Sequence, residues 1–193
     1  MKNFLLLKYN LNLSNIRDEL DWSDLWVDLD TLPNRPETQA GSVRIQLRTN
    51  KKIPGKHYHD IHETRDLPAW NILSSTRIFV TDFANEFGGE IGHVRVTNLR
   101  GNGEIIPHID VGEYCFVRDR FHLVINSPKG TQFTAGGETV IMEEGQLWWF
   151  DNKVVHSVKN LCDRPRTHLI FDLKKFDQDN IPPSPGAACR EYK

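Results

Sequence analysis

From residue 77 onward this chain is a succession of short apolar-alternating runs, and that texture limits the folds open to it. Alternation with a period of two suits strands that bury one face. Runs of this kind cover 77–81, 93–99, 104–108, 121–126, 132–135, 139–142, 146–150 and 168–173. Turn signals part them: Gly101-Asn102-Gly103, Ser127-Pro128-Lys129-Gly130, Gly136-Gly137 and Glu144-Gly145. Many short strands at even spacing predict an all-β sandwich or barrel.

The first third reads differently. Leu13, Ile16, Leu20, Trp22, Leu25 and Trp26 recur at roughly helical spacing, with Ser14 as a candidate N-cap. Residues 31–41 hold Pro33 and Pro36 and read as a loop, and 43–47 alternate as a strand would. Residues 81–87 read as a helical insert. The 193 residues suffice for one domain with a substantial core. The expected fold class is mainly β with N-terminal helices, packed on a double-stranded β-helix, the jelly roll of cupins. Within it, 1–75 would be a helical and irregular support that faces the substrate. Residues 76–176 would be the catalytic core, and 177–193, rich in proline, a loose tail.

Charge excludes some partners. A formal net charge of −2 gives no electrostatic footprint for nucleic acid. The N-terminal apolar run Phe4-Leu5-Leu6-Leu7 is broken by Lys8, too short for a signal core, and no stretch approaches the roughly 18 apolar residues of a membrane span. Cys115, Cys162 and Cys189 are odd in number and lack C-x-x-C spacing, which suits reduced thiols. A cytoplasmic protein is the expectation.

Within the β region, His108-Ile109-Asp110 is followed at a distance by His156. Two neutral imidazoles and a carboxylate suit Fe(II), and on one face of an octahedron they leave positions open. If the 104–108 strand continues to Asp110, His108 and Asp110 share a face while Ile109 points away. Ten residues after His156 stands Arg166. Its planar fork matches a carboxylate, and with Arg120 it could hold a dicarboxylate at both ends. Arg120, His122 and Val124 alternate on one strand face. The plainer alternative pairs these arginines with Asp119 and Asp163.

A second dense segment is His57-Tyr58-His59-Asp60-Ile61-His62-Glu63. It raises a metal-dependent hydrolase as an alternative. Its order, H-x-H-D-x-H, departs from the binuclear H-x-H-x-D-H pattern, so a structural or substrate-facing loop is the favoured reading. Of the adjacent Trp148 and Trp149, one should enter the core and the other face the N-terminal helices.

Over 94–174 the chain resembles the aspartyl/asparaginyl β-hydroxylase family of Fe(II)- and 2-oxoglutarate-dependent oxygenases. The resemblance rests on Val94-Arg95-Val96-Thr97, Ile106-Pro107-His108-Ile109-Asp110, Arg120-Phe121-His122-Leu123-Val124-Ile125, Glu143-Glu144-Gly145-Gln146-Leu147-Trp148-Trp149-Phe150-Asp151, His156, and Arg166-Thr167-His168-Leu169-Ile170-Phe171-Asp172. It implies Fe(II) on His108, Asp110 and His156, with 2-oxoglutarate and O2 as cosubstrates. Arg166, aided by Thr97, would hold the distal carboxylate of 2-oxoglutarate. Arg120 and His122 would contact the carboxylate beside the keto group. The implied reaction hydroxylates a C–H bond of an amino-acid, peptidyl or related small substrate and releases succinate and CO2. The animal members carry glycine where this chain has Asp110, and that aspartate favours hydroxylation over halogenation. A cupin-like binding protein that holds metal and a small ligand without turnover is the other reading.

Overall fold

The computed structural model describes residues 2–33, 37–57 and 59–176. The expected tail at 177–193 lies outside the described residues. In chain order the elements are β1 (Phe4–Lys8), α1 (Ser14–Asp21), β2 (Val27–Asp28), β3 (Ser42–Asn50), β4 (Thr64–Asp66), α2 (Pro68–Ile72), α3 (Ser74–Phe87), β5 (Gly89–Leu99), β6 (Glu104–His108), α4 (Glu113–Phe116), β7 (Asp119–Asn126), β8 (Thr131–Ala135), β9 (Glu138–Val140), β10 (Leu147–Phe150), β11 (His156–Asn160) and β12 (Arg166–Lys175). Two antiparallel sheets result. The major one runs β1-β10-β7-β12-β5-β3-β2, with β4 on β3, and the minor one runs β6-β11-β8-β9. Facing sheets of this kind form the expected jelly-roll core.

Alternation along the central strands assigns the layers. On β12, Leu169, Phe171 and Leu173 face the helices. They meet Phe121, Leu123, Val94, Val96, Ile45 and Leu47 from neighbouring strands, with Val80, Phe83 and Ala84 of α3 packed above. Phe83 and Phe87 each set an edge against Phe121, with centroids 5.1 Å apart. The opposite face looks into the sandwich. There Leu99, Val124, Trp148 and Phe150 meet Phe133, Ala135, Val140 and Val158 from the minor sheet. The tryptophan pair divides as its alternation requires: Trp148 lies in this inter-sheet core, and Trp149 packs against the helix-side cluster.

Some sequence expectations need correction. Residues 77–81 are not a strand but the middle of α3, and the 81–87 insert is that helix's second half. Thr76, Val80, Phe83 and Ala84 are buried at helical spacing while Ile78 is 55% exposed. The β-branched run there imitated strand alternation, and burial of one helical stripe overrode it. Gly88 ends the helix at φ 72, its N–H donating to Ala84 O at 2.9 Å. Ser14 does not cap α1. It is the first helical residue, and Asn12 Oδ1 accepts from its N–H instead. The helix stops at Asp21, which leaves Trp22 88% exposed. Four strands, β1, β2, β4 and β11, had no counterpart in the sequence reading.

Phe121→Ala should cost about 3–5 kcal/mol, because it empties the ring cluster that joins α3 to the major sheet. Urea unfolding followed by far-UV circular dichroism reads this directly.

Candidate metal centre and anion pocket

His108 ends β6, and His156 opens β11 directly opposite it in the antiparallel register. Their ring centroids are 4.3 Å apart. Asp110 is not on a strand, since β6 stops at His108; the loop beyond it swings the carboxylate back. One ligand atom from each of the three lies within 4.8 Å of the others, and among the described residues this is the one such group. Both imidazoles are oriented alike. His108 Nδ1 meets Ile106 O at 2.8 Å and His156 Nδ1 meets Val154 O at 2.9 Å. A carbonyl only accepts, so each Nδ1 carries its proton and each Nε2 presents a lone pair. Burial pushes the His156 pKa down to about 4, so that ring is neutral at physiological pH. These features fit a divalent cation of N/O preference.

The Asp110 loop is braced from behind. Gly112 takes φ 100, and a Cβ there would lie 2.7 Å from His59 O. Tyr114 N donates to that same carbonyl at 3.3 Å. The His57–His62 segment thus serves as a wall behind the loop. Its His62 is buried and its ring contacts His57 O, and no metal-ligating cluster forms there among the described residues. Tyr58 lies outside them.

Two buried arginines share the pocket and differ in their charge balance. Arg120 donates from Nε to Asp172 Oδ1 at 2.7 Å and from one terminal nitrogen to Asp172 Oδ2 at 3.0 Å. Its other terminal nitrogen pairs with Asp110. Burial would lower the Arg120 pKa, but the two carboxylates outweigh it and raise it well above the usual value. Burial likewise would raise both aspartates. Arg120 outweighs this, holding Asp110 below its usual range and Asp172 at about 2.

Arg166 is 1% exposed, and burial pushes its pKa down to about 9, which leaves it charged at neutral pH. Among the described residues it has no carboxylate partner. It donates to His168 Nδ1 at 2.8 Å and lies 5.7 Å from the centre of the Phe133 ring. His168 Nδ1 therefore lacks a proton, and burial holds His168 and His122 far below the ordinary histidine pKa. Their Nδ1 atoms are 3.2 Å apart.

The pocket brings together all seven residues singled out in the sequence: His108, Asp110, His156, Arg120, His122, Arg166 and Thr97. It adds Arg44, Arg95, Ile170, Phe133 and Phe150. Neither arginine follows the plain surface pairing with Asp119 or Asp163. Sequence reasoning missed Asp172 and His168. Their signal was present, since Arg166, His168, Ile170 and Asp172 alternate on β12 and three of them are polar in a strand buried throughout its centre.

The profile of the aspartyl/asparaginyl β-hydroxylase family matches residues 62–175. The chain belongs to that family. It is similar to an L-proline cis-4-hydroxylase of Rhizobium meliloti (strain 1021), at 30% identity over 84 residues, 44% of this chain and 30% of that protein. It is also similar to an L-proline cis-3-hydroxylase of a Streptomyces species, at 28% identity over 174 residues, 81% of this chain and 58% of that protein. The chain thus spans under two thirds of either relative's length. Among solved structures, a 2OG-Fe(II) oxygenase family oxidoreductase from Burkholderia pseudomallei superimposes with a TM-score of 0.59 at 14% identity, covering 90% of this chain and 84% of that one. The viral collagen prolyl hydroxylase of Paramecium bursaria Chlorella virus-1 gives 0.53 at 8% identity, covering 90% and 96%. These likenesses establish the oxygenase-type double-stranded β-helix. Among the described residues no helix is long and apolar enough to cross a membrane.

The buried histidines set an acid limit on stability. His93 is held at about 4 by burial, against an ordinary 6.5. Between those values the unfolded chain binds a proton that the folded one refuses, so stability falls as pH drops from about 6.5 to 4. His93→Gln should flatten part of that slope, with the remainder left to the other buried histidines. Urea titrations at several pH values across the window check this; an unchanged slope contradicts it.

Proposed function

We propose that this protein is a 2-oxoglutarate-dependent hydroxylase that holds Fe(II) on His108, Asp110 and His156. The observation that carries the reading is Arg166, a fully buried guanidinium with no acid partner among the described residues, in the pocket that the triad lines. A buried cation without a counter-charge is costly, and an anionic ligand offsets that cost. When bound, Fe(II) with 2-oxoglutarate and O2 supplies the oxidant for C–H hydroxylation, with release of succinate and CO2.

The chain's own residues bind, orient and exclude water. Arg166 grips the distal carboxylate of 2-oxoglutarate through its planar fork, and the Thr97 hydroxyl assists from the adjacent strand. Thr97 pairs with His168 across β5 and β12, one step from Arg166 on the same face. Arg120 and His122 contact the carboxylate beside the keto group. A guanidinium has five N–H donors, and three on Arg120 serve Asp172 and Asp110, so two are free for this contact. Phe133, Phe150, Ile170 and Val158 form the apolar wall that keeps water from the reacting centre.

The substrate is an amino acid or a related small acid. Arg44 and Arg95 lie on the neighbouring strands β3 and β5 and line the same pocket. They present guanidinium groups to a substrate carboxylate. The names of the two relatives, both L-proline hydroxylases, support a free amino acid over a peptidyl residue.

Purified protein with Fe(II), ascorbate and O2 should convert 2-oxoglutarate to succinate, and L-proline or another free amino acid should stimulate the release. His108→Ala and His156→Ala should abolish it. Arg166→Ala should raise the KM for 2-oxoglutarate about 100-fold, the equivalent of one buried charge-assisted pair at roughly 3 kcal/mol. Failure of the metal-loaded wild type both to bind and to consume 2-oxoglutarate would sink the proposal.

A further inference from the structure

We infer that Asp172 is a positioning residue for the metal centre, acting on the ligand Asp110 through Arg120. The inference rests on the metal reading of the triad given above.

Asp110 stands on a loop, past the last strand residue of β6, so backbone pairing does not aim its carboxylate. Its ion partner is Arg120, and the neutral His156 ring brings Nε2 to 3.9 Å from the same carboxylate. Arg120 by contrast sits on β7 directly across from Asp172 on β12, in the middle of the major sheet. The two are joined by a fork of two hydrogen bonds, at 2.7 and 3.0 Å, with 6% and 2% exposure. A bidentate pair fixes the plane of the guanidinium as well as its place. The remaining terminal nitrogen then points at Asp110. Asp172 also reaches α4, the short helix that follows the same loop. Tyr114 Oη lies 3.5 Å from Asp172 Oδ2 and accepts from His93 N at 2.6 Å. One buried carboxylate therefore braces Asp110 through Arg120 and also holds Tyr114 in the helix that follows the ligand loop.

Charge gives the arrangement a second consequence. Arg120 without a partner would be a full cation competing with a metal ion for the Asp110 carboxylate. Asp172 neutralises it, so Asp110 can be held in place by Arg120 and still offer its charge to a metal. Partners of this outer kind orient a ligand, and their loss typically costs roughly 10–100-fold in metal affinity.

Co(II) binding to the whole protein, without 2-oxoglutarate or substrate, tests the inference. Asp172→Asn is near-isosteric and should lower Co(II) affinity roughly 10–100-fold and change the visible Co(II) absorption. The same change made in an Arg120→Gln background should alter affinity less than about 3-fold, because the route through Arg120 is already gone. Equal effects in both backgrounds would show a merely structural role and overturn the inference, as would wild-type affinity in folded Asp172→Asn. Where Asp172→Asn does not fold, Asp172→Glu takes its place: it keeps the charge but displaces the fork, and wild-type Co(II) affinity and absorption in it overturn the inference. His108→Ala separates the two layers of the argument. If it binds Co(II) as wild type does, the triad reading fails; if it loses binding while Asp172→Asn does not, only the positioning role fails.

Discussion

The inner face of the major sheet carries ionic and polar side chains into the space between two sheets. The rest of the site follows from that constraint. On β12 the alternation that gives the helix layer Leu169, Phe171 and Leu173 must send Arg166, His168, Ile170 and Asp172 the other way. Groups buried in such a place must satisfy one another or be satisfied by a ligand. Asp172 takes the first course with Arg120, and the His122–His168–Arg166 chain takes it in part. The Arg166 charge is left over.

That remainder gives the pocket its chemical direction. Two buried arginines sit in one cavity, one flanked by two carboxylates and the other by none among the described residues. Burial lowers the pKa of the second and carboxylates raise that of the first, a contrast that separates a charge-balanced cation from one without a carboxylate among the described residues. The imidazoles of His108 and His156 are set by an economical local device. Each donates its Nδ1 proton to the carbonyl two residues back, so the lone pairs converge without help from distant side chains. Asp110 lacks such a local hold, and for that reason depends on the buried network behind it.

Much of this was legible in the chain. Period-two runs bounded by glycine turns marked most of the strands, and H-x-D with a distant histidine marked the three side chains that the fold brings together. What escaped has physical reasons. The run at 77–81 alternates locally, yet its side chains are sorted by a helical stripe whose partners, Phe121 and Phe171, lie far along the sequence. β1 is an edge strand made by pairing with β10, and its exposed Leu5, Leu6 and Leu7 carry no alternation to betray it. Asp110 was expected on a strand, where residues two apart share a face; a loop held against His59 achieves the same convergence by another route. Asp172 shares the inward alternation of β12, which marks it as buried and polar, but nothing in its neighbourhood says which strand lies opposite. Only the β7–β12 register reveals that it meets Arg120.

The central claim is that Arg166 is a socket for a second carboxylate. Calorimetric titration of the Co(II)-loaded protein with 2-oxoglutarate and with 2-oxopentanoate, which keeps the keto acid and loses the distal carboxylate, tests it most directly. The account predicts that 2-oxoglutarate binds about 100-fold tighter than 2-oxopentanoate, and that Arg166→Ala erases the difference. Equal affinity of the wild-type protein for the two ligands would contradict it.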